Sequence, residues 1–267
     1  MSIRFKMTTI AVAVILLVNS LLSFIALRYL GSVWLKEVQT RVQRNLNSAR
    51  SAYEKRVELI AAFLEGTAHD PTLAEVIRRN DPGEIECVLY DIQQAGGMDF
   101  VTLLEPAGGV IRRSRGERHG DRLADDLLVS RALGERQTVT GTMIFSRERL
   151  LAEGADLADR ARFELIPTPA ARPTPDTVRY DGMVVAAVVP VLDAQGQLRA
   201  LLYGGNLLNR RYEIVDAIKK EVFPQEVYRG KDIGTVTIFQ GDLRISTNVT
   251  MDAGSRAVGT RLSESVC

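Results

Sequence analysis

Histidine and cysteine, the side chains that most often carry catalysis or hold metals, are scarce in this chain. The histidines are His69 and His119 and the cysteines are Cys87 and Cys267. That is too few for a disulfide framework, a cysteine-rich zinc module or most histidine-based acid–base constellations. His69 precedes Asp70-Pro71, a helix-start pair, and reads as part of a capping neighbourhood. His119 lies in the charged turn Arg115-Gly116-Glu117-Arg118-His119-Gly120 and reads as solvated. Cys87 falls in an apolar run with Ile85, Val88 and Leu89, which predicts a core position. No G-x-x-x-x-G-K-[ST], G-x-G-x-x-G or G-x-S-x-G motif occurs, so neither a phosphate-cradling loop nor a nucleophile elbow is expected. The expectation is a protein without catalysis, metal or cofactor. The chemistry that these residues do offer is anion recognition. Arginine presents a planar fork that matches a carboxylate, and hydroxyls add neutral donors. The candidates are Arg112, Arg113, Ser114, Arg131, Thr140, Thr142 and Tyr203. Strand alternation puts Arg112 and Ser114 on one face and Arg113 on the other, so only one set can face a common pocket. Each arginine can equally be a solvated surface charge. Asn206 and Asn209 read as caps of a following helix.

These side chains need strands and helices to hold them. Residues 99–104 and 110–114 flank the turn Glu105-Pro106-Ala107-Gly108-Gly109, a hairpin signature. Residues 137–146 (QTVTGTMIFS) are rich in Thr and β-branched side chains and read as a strand. Residues 183–191 and 198–203 read as a second hairpin that Gly204-Gly205 ends, with Pro190 implying an edge position or a bulge. Helices are expected near 71–80, 82–95, 125–133, 152–162 and 211–222. Residues 166–177 (IPTPAARPTPDT) hold four prolines and must form an extended surface loop. An antiparallel sheet with helices on its faces is an α+β fold.

The amino-terminal region differs in kind. Residues 7–27 (MTTIAVAVILLVNSLLSFIAL) form a run of 21 without a charge, the length of a bilayer-spanning helix. The alternative is a cleaved signal peptide, but the run exceeds the usual h-region and continues into Arg28-Tyr29-Leu30 without a small-x-small site. Beyond it, apolar residues recur at Leu30, Trp34, Val38, Val42, Leu46, Ala49, Tyr53, Val57, Ile60 and Leu64 in steps of three and four. That is one face of a long stalk helix, which either packs on its own domain or also pairs with a second copy. Across the 267 residues, 34 Lys+Arg balance 33 Asp+Glu for a net charge of +1, which gives no reason to expect nucleic acid as a partner.

An internal repeat is visible. Val101-Thr102-Leu103-Leu104, Arg112-Arg113-Ser114 and Gly120-Asp121-Arg122-Leu123 recur as Val236-Thr237-Ile238-Phe239, Arg244-Ile245-Ser246 and Gly259-Thr260-Arg261-Leu262. Two unrelated hairpins would give the same letters by chance, whereas a true repeat at this spacing means tandem domains. Residues 230–267 are too short to finish a second sheet, so an incomplete second unit is expected.

Residues 234–249 (GTVTIFQGDLRISTNV) followed by 254–266 (GSRAVGTRLSESV) resemble the second unit of tandem Cache sensor domains. Residues 203–215 (YGGNLLNRRYEIV) resemble the last strand of the first unit and its exit helix, and 146–177 also resemble that unit. The resemblance implies PAS-like units with a small-molecule pocket between sheet and helices, borne outside the cytoplasm by a bacterial transmembrane receptor. It implies residues 1–6 as a cytoplasmic terminus and 7–27 as the transmembrane span. It further implies 28–69 as the stalk, 70–208 as a membrane-distal unit, 209–229 as a connecting helix and 230–267 as part of a second unit. The expected partners are a small-molecule ligand such as a carboxylate or amino acid, the lipid bilayer, and a second copy through the stalk helix. A histidine-kinase or chemotaxis output domain would follow. Two alternatives remain open at this point: a tethered scaffold with a non-binding Cache fold, and a periplasmic hydrolase.

Overall fold

A computed structural model describes residues 3–116, 118–223, 227–228, 231–232, 234–251 and 254–264, with side chains described except at 3–6, 8–14, 27, 30–33, 35, 227–228 and 231–232. The chain divides into two compact units, residues 1–50 and 51–267.

The first unit is helical. It belongs to α1 (Ile3–Ala68), which no proline interrupts. Leu16, Leu17, Leu21, Leu22, Phe24 and Ile25 are exposed, as are Trp34, Val38, Val42 and Leu46. Among the described residues no helix is long and apolar enough to cross a membrane. The side chains of residues 8–14 and 27, eight of the 21 in the expected span, lie outside the described residues.

The second unit starts with the last turns of α1, where Ile60, Leu64 and Ala68 are buried. The apolar stripe read from the sequence therefore serves as core from about Tyr53 onward. Next come α2 (Pro71–Arg79) and α3 (Pro82–Ala95), each started by an Asp-Pro pair. Asp70 accepts the Thr72 N–H and Asp81 the Glu84 N–H, answering amides that a first helical turn leaves unpaired. Cys87 is exposed, not core, because the steps Ile85, Leu89 and Ile92 define the inner face of α3 and leave position 87 outside.

The sheet contains β1 (Phe100–Leu104), β2 (Val110–Arg113), β3 (Val139–Phe145), β6 (Gly182–Leu192) and β7 (Leu198–Leu207) in the order β2-β1-β7-β6-β3. All neighbours are antiparallel. Between β2 and β3 lies α4 (Leu127–Glu135), and between β3 and β6 lie α5 (Arg147–Glu153), α6 (Ala155–Ala161) and the short pair β4 (Phe163–Glu164) and β5 (Val178–Arg179). Extended backbone at Gly154 (φ 170°) splits what the sequence suggested as one helix into α5 and α6. Helices α1, α2 and α3 cover one sheet face with Val101, Leu103, Val185 and Leu202, while α4, α5 and α6 cover the other with Phe100, Val188 and Tyr203.

Gly204-Gly205 does not end the return strand. The strand continues to Leu207, because these glycines admit close packing: a Cβ at Gly205 would lie 2.5 Å from the Val185 carbonyl oxygen. Pro190 lies two residues beyond Val188, where the pairing of β6 with β3 stops, so its missing N–H faces an open edge.

After α7 (Tyr212–Val222) and the short pair β8 (Val227–Tyr228) and β9 (Lys231–Asp232), the chain forms a hairpin of β10 (Thr237–Gln240) and β11 (Leu243–Thr247). This hairpin repeats the β1–β2 hairpin bond for bond. Both slip register at the same place, between Leu103 and Leu104 and between Ile238 and Phe239. Val110 donates to Asp121 and accepts from Gly120 through its backbone; Arg244 does the same with Thr260 and Gly259. Ser114 Oγ accepts the Val101 N–H at 3.0 Å, and Asn248 Oδ1 accepts the Val236 N–H at 2.7 Å. The sequence match of Arg112-x-Ser114 to Arg244-x-Ser246 is thus two residues out of step: Ser114 corresponds to Asn248, and Arg113 to Thr247. The carboxamide of asparagine supplies the same acceptor as the serine hydroxyl, which letter matching does not see.

The second hairpin belongs to the same compact unit as the sheet. Leu243 and Ile245 are buried, the Ile166 N–H donates to Gly259, and Thr168 Oγ1 accepts the Arg261 N–H. The proline-rich loop is therefore covered in part by residues 256–264. Unlike β1, which has neighbours on both sides, β10 pairs with β11 alone among the described residues.

Candidate functional site

Thr102 on β1 lies opposite both Arg113 on β2 and Tyr203 on β7, so three adjacent strands place these side chains on the face covered by α4, α5 and α6. The Arg113 side chain is fully enclosed. Its two terminal nitrogens meet Asp121 at 2.8 Å each, and one also donates to the Arg118 carbonyl. Its Nε lies 3.2 Å from Glu153 Oε1, at the end of α5. Glu153 Oε2 accepts from the Thr102 hydroxyl at 2.6 Å. Arg149, one helical turn before Glu153, brings Nη2 within 3.0 Å of the same Oε1. Its guanidinium stands 5.0 Å from the Phe145 ring centroid and 5.5 Å from that of Tyr203. Phe100 closes the aromatic group, 5.6 Å from Tyr203 and 5.7 Å from Phe145.

The Tyr203 hydroxyl donates to Asp126 at 3.0 Å, and Asp126 also caps α4 through the Leu128 and Val129 amides. Burial, and after it the Asp126 carboxylate, push the Tyr203 phenol well above its ordinary range, so it stays protonated and remains a donor. The hydrogen bond from Arg113 is the main cause holding the Asp121 carboxyl below the usual carboxylate range. Burial pulls the Arg113 guanidinium down, but Asp121 and Glu153 outweigh it and the net shift is upward. The group holds an aromatic wall, two arginines and three carboxylates. It presents no activated nucleophile, and among the described residues no three metal-ligating side chains gather.

Of the residues proposed from sequence, Arg113 and Tyr203 meet here. Arg112 stands opposite Leu103, on the other face, and Ser114 spends its hydroxyl on the Val101 amide. Arg131 is exposed on α4 and pairs with Glu135 at 3.0 Å. Thr140 and Thr142 are exposed on edge strand β3, opposite Ala187 and Val185, and so share the α1 face; the Thr142 hydroxyl bonds that of Tyr53. A single step along β3 separates the two faces, and Val139 and Phe145 hold the inward one. Sequence reasoning missed Thr102, Asp121, Asp126, Arg149 and Glu153. The four-residue spacing of Arg149 and Glu153 on a helix was the available signal.

A second charged node lies at the end of β7. Asp99 receives Arg160 of α6 and Arg211 at 2.9 Å each, and the Leu207 N–H at 2.7 Å. Arg56 of α1 donates to Asn206, which in turn donates to the Gly97 carbonyl. Arg210 caps the end of α6 through the Asp159, Arg160 and Arg162 carbonyls. Asn206 and Asn209 are therefore not helix caps: Asn209 accepts the Met183 N–H, and the N-cap of α7 is Arg211, which makes no side-chain cap bond. A cavity of about 620 Å³ lies elsewhere, between α2 and the β6–β7 turn, where Arg78 pairs with Glu75 and Arg199 with Asp193.

Residues 206–267 match the family model of Single cache domain 3. Among solved structures, the periplasmic domain of Vibrio cholerae LuxQ is similar at 11% identity and a TM-score of 0.47, over 78% of this chain and 79% of that one. The sensor domain of the V. cholerae histidine kinase DctB gives 11% identity and 0.47 over 86% and 74%. The ligand-binding domain of the Pseudomonas aeruginosa PAO1 amino acid chemoreceptor PctC, in complex with GABA, gives 13% and 0.33 over 78% and 77%. No curated protein matches the chain.

Proposed function

We propose that this chain is the extracytoplasmic, small-molecule-sensing region of a bacterial transmembrane receptor of Cache type, acting by binding and without catalysis. The observation that carries this reading is the enclosed Arg113–Glu153–Arg149–Tyr203 group between an antiparallel sheet and a layer of short helices. The Cache match at residues 206–267 supports it. The uncharged run 7–27 supports a membrane anchor, and the exposed Trp34, Val38, Val42 and Leu46, each four residues apart, support pairing of two α1 helices. The Asp99 node supports a route for the signal, since it ties α6 on the ligand face to α1 and to the start of α7. The edge of β10, without a second neighbour among the described residues, supports completion of a second unit by further strands, ahead of a histidine-kinase or chemotaxis output domain.

The test is a thermal-shift screen of the full chain in detergent micelles against small carboxylates, amines and amino acids. Stabilisation that Tyr203→Phe or Arg149→Gln weakens is the expected result. A tethered scaffold with a non-binding fold is the second reading. It is favoured by the pairing of the group's charges within the protein. Complete indifference to every compound would select it.

A further inference from the structure

Five polar atoms in one enclosed spot make no hydrogen bond: Nε, Nη1 and Nη2 of Arg149, Nε of Arg113, and Oε1 of Glu153. Arg149 and Arg113 reach Glu153 Oε1 at 3.0 and 3.2 Å, in geometry that makes no hydrogen bond. Buried polar groups are ordinarily bonded, so a knot of unmet donors around one carboxylate oxygen is a place that a better-fitting acceptor would relieve. Glu153 also bears the cost of complete burial, with a side chain 0% exposed, whereas its rival Asp121 is 21% exposed and makes well-aligned bonds to Arg113. Glu153 is the last residue of α5 and Gly154 follows in extended backbone, so its side chain can leave if one helix end turns.

Resting on the reading of this face as the ligand face, we infer that Glu153 is an internal stand-in for the ligand. Its carboxylate occupies, between Arg113 and Arg149, the place that the carboxylate of a small organic acid takes. The incoming group accepts from the Arg149 fork beneath Phe145 and Tyr203, and Glu153 moves out to water. The charge of the enclosed group is unchanged by the exchange, since one carboxylate replaces another. What changes is the end of α5 and the α5–α6 junction, and α6 is the helix held by Asp99 and Arg210. Ligand class and signal thus follow from one displacement.

The experiment compares acetate, L-lactate and succinate with their amides, using the full chain in detergent micelles and a carboxylate-free buffer. At least one acid is expected to bind while its amide does not. Glu153→Gln, which keeps the shape and removes the competing charge, should bind that acid at least about tenfold more tightly, and Arg149→Gln should lose it. Equal affinity of wild type and Glu153→Gln, or acid binding that survives Arg149→Gln, would overturn the inference. If Glu153→Gln does not fold, hydrogen exchange of wild type decides: acid must change protection across residues 147–161, and unchanged protection overturns the displacement. Amine or neutral ligands binding here, with no acid doing so, would sink this inference while leaving the sensor reading intact. Binding of no compound at all would remove both.

Discussion

The β1–β2 hairpin and the β10–β11 hairpin share a backbone and differ in what they enclose. Both carry the same register slip, the same glycine return and the same side-chain acceptor at the strand end. Under the first, Thr102 and Arg113 meet two carboxylates in a dry interior. Under the second, the hydroxyls of the equivalent Thr237 and Thr247 bond each other at 2.7 Å, and that of Thr247 also meets the Val236 carbonyl and the Val249 N–H, with no carboxylate among these bonds. The first hairpin has β7 on its other side, while the second has no strand there among the described residues. One backbone device encloses an arginine and two carboxylates in one place and paired threonine hydroxyls in another, so the hairpin alone does not set what lies beneath it; the residues brought to it from other elements do.

The comparison can be broken by substitution, and the largest effect is expected at the charged position. Arg113→Met leaves Asp121 and Glu153 without their shared partner and should cost about 3–5 kcal/mol in urea denaturation. Thr247→Val, the matching change in the second hairpin, should cost about 1 kcal/mol. Equal losses would mean that the two interiors do not differ as described.

The two glycine returns come next. Gly120 and Gly259 have φ of +80° and +85°, so alanine is strained at both. A Cβ at Gly120 meets open space, but at Gly259 it falls 2.7 Å from the Glu164 carbonyl oxygen. Gly120→Ala should therefore cost about 1 kcal/mol and Gly259→Ala at least about twice that. A smaller loss at Gly259 would argue against docking of the second hairpin on β4.

Ser114→Ala and Asn248→Ala each strip the acceptor from a strand amide, of Val101 or Val236, and should cost about 1–2 kcal/mol apiece. Similar losses would support the structural alignment of the repeat; a neutral Asn248→Ala would undo it.

The smallest expected effect is on pH dependence. Arg113 depresses the folded Asp121 value, so the contribution of this carboxylate is complete above the ordinary carboxylate range and is lost as pH falls through the folded value. Asp121→Asn should flatten the acid limb of the stability curve, measured as urea midpoint against pH. Thr260, at the equivalent place, does not titrate, and Thr260→Val should leave that limb unchanged.

Much of the fold was legible from local rules. Asp70-Pro71 and Asp81-Pro82 announce their helices because a carboxylate cap and a first-turn proline need nothing beyond neighbouring residues. The Pro/Gly turn at 105–109 and the uncharged β-branched run of β3 are local in the same sense. Cys87 is exposed although its apolar run predicts core, because such a run does not say which of its residues faces inward until a partner surface exists. Gly204-Gly205 reads as a stop in sequence because letters do not record that Val185 leaves no room for a side chain there.

The candidate site was less legible for a physical reason. Arg113, Asp121, Glu153, Arg149 and Tyr203 come from β2, the loop after it, α5 and β7, and no spacing along the chain encodes their meeting. The residue types, the strand that carries Arg113, the helix that pairs Arg149 with Glu153, and the existence of a repeat all follow from sequence alone, since each depends on interactions within a few residues or on comparison of one segment with another. Which arginine is enclosed, which face of β3 is inward, and which carboxylate answers which guanidinium were decided by sheet register and helix placement. Desolvation separates an arginine that matters from one that is merely solvated, and only the assembled layers determine where water is excluded.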